Sequence, residues 1–142
     1  MEHSVNDSVV YLNPPEACPA QGLYSHAARV TGPLLFVAGQ LAVDAEGRVA
    51  GEGSFDAQFQ QVFRNLGGVL GGLGASYNDV VRFTTYLVRP ADIERFMELR
   101  AELFPKLFRG PLFPPNTLLV VKRLVKEEFW LEIEAIVRDR EL

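Results

Sequence analysis

The side chains best placed to do chemistry are two carboxylates, Glu132 and Glu134, in the segment Leu131-Glu-Ile-Glu-Ala-Ile-Val137. A spacing of two puts both on one face of a strand with Ile136, and puts Leu131, Ile133, Ala135 and Val137 on the other. Carboxylates side by side on an otherwise apolar strand either face water or have at least one member facing a cavity, where it can move a proton. The chain holds one cysteine and two histidines, which argues against a His/Cys metal site. His3 lies near the N-terminus and Cys18 in an irregular Pro/Gly-containing stretch, leaving His26 as the one credible imidazole. There is no Walker A loop, no GxGxxG after a strand, and no HExxH, CxxC or GxSxG. Carboxylate, tyrosine, hydroxyl and backbone groups remain, acting on water and a small molecule.

These groups must be positioned by one domain, since 142 residues suffice for one. A net charge of −4 with scattered Lys and Arg argues against nucleic acid as a partner. No apolar run approaches the ~18 residues of a membrane span. The N-terminal MEHSVNDS lacks a signal-peptide pattern and reads as a loose tail over residues 1–8. The lone cysteine fits a reducing compartment, so the expectation is a soluble, cytoplasmic, single-domain protein spanning residues 1–142.

Short strands are expected at 9–12, 27–30 and 34–38, with 27–30 and 34–38 as the simplest hairpin. Ser54 is a good N-cap, and Phe55, Phe59, Val62, Phe63, Leu66, Val69, Leu70 and Leu73 recur at helical spacing up to Gly74. Gly67, Gly68, Gly71 and Gly72 in that helix suggest close approach to a sheet or another subunit, or else a frayed end. Residues 79–88 read as a strand, and Pro90 opens a second helix that Pro105 ends. Arg100 falls on that helix's apolar stripe, where its head either snorkels to water or turns into a pocket. Leu118–Val121 and Phe129–Val137 read as two buried strands. The fold class is α+β: about six strands in a mixed sheet, with two long helices packed on one face. The other face, to which Phe36, Phe83, Tyr86, Val120 and Trp130 are assigned, is expected to meet another subunit.

Five segments, in order from about Pro19 to Val137, resemble the reactive intermediate deaminase (Rid, or YjgF) family. They are Gly22-Leu23-Tyr24-Ser25-His26, the strand Leu35–Gln40, Gln58 with Asn65-Leu66, Pro114-Pro115-Asn116-Thr117, and Glu132-Ile133-Glu134-Ala135. The resemblance implies a chorismate-mutase-like fold of the bacillus type and a homotrimer with clefts between subunits. It implies hydrolysis of imines and enamines to carbonyl compounds and ammonia, with no metal and no cofactor. It places a water-positioning role on Glu132 and a lining role on Tyr24. Asn116 stands where the family carries an arginine that clamps the substrate carboxylate, and an amide cannot supply a charged fork. Leu118 makes the pocket more apolar and His26 replaces a glutamine, so a less anionic ligand is expected. Backbone groups near Asn116, Thr117 and Leu118 would hold its polar end, with His26 and Arg100 as further candidate contacts. The rival readings are a metabolite-binding module using the same clefts without turnover, and an interaction protein using its outer surface.

Overall fold

The computed structural model describes residues 8–140. All of the expected loose tail except Ser8, and with it His3, lies outside the described residues. The elements are β1 (Val9–Leu12), β2 (Ala27–Val30), β3 (Leu34–Gln40), α1 (Phe55–Gly72), β4 (Val80–Leu87), α2 (Asp92–Leu107), β5 (Asn116–Val120) and β6 (Leu131–Arg138). The strands divide into an antiparallel pair, β1–β2, and a mixed four-stranded sheet in the order β3-β6-β4-β5. The α+β class with two helices on one sheet face is as expected.

The Ser54 hydroxyl accepts from the Ala57 N–H at 3.1 Å and caps α1. Phe55, Phe59, Val62, Phe63, Leu66 and Leu70 are buried along one stripe. On α2, Phe96, Leu99 and Phe104 are buried likewise. They meet Phe83, Leu87, Leu131, Ile133, Ala135 and Val137 from the sheet in a single core. Phe63 stands edge-on to Phe83 and Phe104, with centroids 6.2 and 5.7 Å away. Each such fully buried side chain contributes about 1.5–3 kcal/mol.

Gln58 interrupts the apolar stripe and is fully buried. Its Nε2 donates to the Glu128 carbonyl (2.9 Å) and, at 3.3 Å, to that of Gly51, while its Oε1 accepts from the Trp130 N–H (2.8 Å). This side chain ties α1 to the entry of β6. Arg89 pairs bidentately with Asp92 at the start of α2 and stacks 3.5 Å over Trp130.

Several expectations are corrected. β2 pairs with β1, not β3, and β3 pairs with β6. Gly32, at a φ of 101°, takes the chain from one sheet to the other instead of closing a hairpin. β5 and β6 follow each other in the chain, but β4 lies between them in the sheet. β5 runs parallel to β4 at the sheet edge, where Leu119 and Val120 are exposed rather than buried. Helix α2 continues two residues past Pro105, which occupies its last turn. Leu73 is the C-cap and is exposed, so the buried stripe ends at Leu70. Close approach explains none of the four: a Cβ at Gly67 would meet the Tyr77 ring at 3.5 Å, an ordinary contact, and Gly68, Gly71 and Gly72 face open space.

Candidate functional site

Cross-strand partners share a sheet face, so the register sorts the candidate residues. Asn116 and Ala135 both oppose Phe83, and Leu118 and Ile133 both oppose Thr85. Phe83, Thr85, Ala135 and Ile133 are buried under the helices, which puts Asn116 and Leu118 on the helix side. Leu119 and Glu132 oppose Tyr86, and Thr117 and Glu134 oppose Thr84, so these lie on the outer face. Phe36, 74% exposed, opposes Ile136 on that same face, and Tyr86 joins them. Phe83 does not: its ring belongs to the core, and Val120 also opposes a buried residue, Leu87.

On the helix side, at the β5 edge, lies a cavity of about 380 Å³ lined by Gln21, Tyr24, Ile93, Met97, Arg100, Asn116, Thr117 and Leu118. Asn116 Oδ1 accepts from Thr85 Oγ1 at 2.7 Å, which leaves its Nδ2 as the donor toward a ligand. The Thr117 hydroxyl is engaged with Arg82 at 3.0 Å. The Tyr24 hydroxyl accepts from the Gln21 N–H at 3.1 Å.

Arg100 is 2% exposed, so its head does not snorkel. Its Nη2 donates to Met97 Sδ at 3.0 Å, and its buried Nε and Nη1 have no hydrogen-bond partner among the described residues. Burial pushes its pKa down to about 10, so it stays cationic at neutral pH. Gly22 makes room for it, since a Cβ there would fall 2.6 Å from Met97 Cε and against Arg100 Nη2. His26 does not line this cavity. It is exposed, with its ring Nε2 2.6 Å from the Cys18 carbonyl.

Glu132 sits over β3, beside the irregularity between Val37 and Gln40. A Cβ at Gly39 would fall 2.6 Å from the Glu132 Cδ and closer still to its Oε2, so only glycine leaves the carboxylate its place. Partial burial, followed by the charge of Glu134, raises the Glu132 pKa above the ordinary glutamate value. Glu134 in turn accepts from the Tyr86 hydroxyl at 2.8 Å. The carboxylate and the cavity therefore lie on opposite faces of one sheet.

A family model described as Endoribonuclease L-PSP matches residues 15–138. The chain belongs to this family, the Rid (YjgF) proteins. A RutC family protein of Pyrococcus abyssi is 36% identical over 115 residues, covering 81% of this chain and 85% of that one. A Rid-family crystal structure from Yersinia pestis, titled as of unknown function, superimposes with a TM-score of 0.81 at 32% identity, covering 92% and 98%. The chloroplastic reactive intermediate deaminase A of Arabidopsis thaliana is 36% identical over 91 residues, 63% of this chain and 48% of that one.

In this Rid protein, Tyr24, Arg100, Asn116, Thr117 and Leu118 come together around one cavity, while Glu132 and His26 stand apart from it. Sequence reasoning missed Gly22 and Gly39, although both lie inside segments that carry the resemblance. Their common signal is a glycine next to a charged candidate, which only coordinates reveal. Ser25, Gln40 and Asn65 make local polar contacts: Asn13 donates to Ser25, while Gln40 and Asn65 serve backbone carbonyls, with Asn65 holding Leu41 and Val43 at 2.8 and 2.9 Å.

Proposed function

We propose that this chain is a cofactor-independent imine or enamine hydrolase, acting as a homotrimer whose sites lie between copies. One observation carries the reading: the ligand-sized cavity and the basic carboxylate occupy opposite faces of the sheet. In this reading neither half is a site alone, and the trimer is what joins the Glu132 of one copy to the cavity of a neighbour across the open β5 edge. Exposed Phe36 and Leu119 on the outer face support such packing.

The chemistry follows from the parts. An imine carbon is already electrophilic, so the protein need only hold it and present water. Glu132, with its raised pKa, takes a proton from water as the oxygen attacks the C=N carbon. The proton passes to nitrogen, and the resulting carbinolamine collapses to the carbonyl compound and ammonia. Asn116 Nδ2 and backbone groups from Asn116 to Leu118 hold the polar end of the substrate, and Tyr24 closes the wall. Asn116 in place of the family arginine gives this member an altered substrate preference. The acidic net charge makes a polyanion such as RNA a poor fit, despite the name of the family model.

One observation favours a second reading. The amide at position 116 suits retention of the cleft as a metabolite sensor without turnover. The separating experiment generates iminoacids in situ with an amino-acid oxidase and traps them with semicarbazide. Loss of imine faster than in buffer supports the hydrolase. No acceleration with any amino acid rejects iminoacid hydrolysis, and Asn116→Arg then tests whether the missing guanidinium is the reason.

A further inference from the structure

Arg100 is anomalous on purely physical grounds. A buried guanidinium is costly unless it is paired, and native structures pair it with a carboxylate or satisfy its donors. Here no described carboxylate lies within ion-pair distance, two of its three nitrogens make no hydrogen bond, and the third meets only a thioether. The ring of Phe96, 5.2 Å from its Cζ, offers weak compensation. Such a charge is retained at a site when something else brings the counter-charge.

We propose that Arg100 is the residue that recognises a ligand carboxylate in this cavity, entering from α2 instead of from position 116. This rests on the cavity being the substrate half of the proposed site. It replaces the expectation of a less anionic ligand: the strand has lost its cation, but the pocket has not. One guanidinium without a second cation in the lining matches a singly charged carboxylate. Met97, flexible and also lining the cavity, is the group that must yield for the fork to engage. Asn116 Nδ2, on the strand side, is left to contact a neutral polar atom of the same ligand. Gly22 belongs to the device, because any side chain there would press on the guanidinium.

The test measures binding of pyruvate and pyruvamide by calorimetry on the intact protein. The wild type is expected to prefer the carboxylate by about tenfold or more. Arg100→Met should erase that preference, Arg100→Lys should keep part of it, and Asn116→Ala should leave the ratio intact. Met fills similar space and removes an unpaired buried charge, so the variant should fold. If it does not, the wild-type ratio with the Arg100→Lys ratio decides. A wild-type ratio near one, a ratio that survives Arg100→Met, or a Lys variant indistinguishable from wild type overturns the proposal. The two readings fail separately. Carboxylate preference without imine turnover keeps Arg100 and rejects the hydrolase, whereas turnover without preference does the reverse.

Discussion

Replacing Gln58 with Met tests whether α1 fixes the strand that carries Glu132. The side chain is fully buried and makes three hydrogen bonds, to Gly51, Glu128 and the Trp130 N–H. Met has nearly the same volume, so no cavity term arises. Each hydrogen bond contributes about 1 kcal/mol net, and a half-buried Trp130 N–H left without a partner adds a further penalty. The 3.3 Å bond to Gly51 is the weakest of the three, so the expected loss is about 2–4 kcal/mol. Urea denaturation at fixed protein concentration should show a lower midpoint with an unchanged slope. The same variant should lose activity even in its folded fraction, because Trp130 lies two residues before Glu132. A loss below about 0.5 kcal/mol, the range of neutral surface changes, would refute the reasoning.

Gly39→Ala should abolish imine hydrolysis while lowering the melting temperature little, since the added methyl meets a movable carboxylate rather than backbone; full activity in the variant would mean that Glu132 has no role where it stands. The acid limb of kcat/KM should lie above the ordinary glutamate range, because the base must ionise and burial, then Glu134, oppose its charge. Glu134→Gln removes the second cause and should shift that limb to lower pH, which a pH–rate profile reads directly. Gly22→Ala should weaken pyruvate binding by displacing Arg100 and Met97, and should leave pyruvamide binding nearly unchanged.

Helix α1 was legible because its cap and its 3.6-residue apolar period agree, and β6 because its alternation survives burial on one face. Strand pairing was not legible. The apolar runs at 27–30 and 34–38 suit a hairpin locally, but β6 pairs with both β3 and β4, and that is a long-range fact. The same limit applies to faces. Period two places Glu132 and Glu134 together, yet it cannot say that Asn116, two strands away, points to the other side of the sheet. Arg100 was visible on the apolar stripe of α2, where a long stem ordinarily carries its head to water. Its neighbour Met97 follows from the helical period, but its burial also depends on Gly22 and the loop around it, which no helical period encodes.

The most direct test co-refolds in equal amounts Glu132→Gln and Leu118→Trp, the second filling the cavity so that the substrate half fails whether or not Arg100 binds the ligand. If each site takes its cavity from one copy and its carboxylate from a neighbour, random assembly restores about a quarter of the wild-type sites. Imine hydrolysis should therefore return to about that fraction of the wild-type rate. Activity that stays at the level of the separate variants would contradict a site shared between copies.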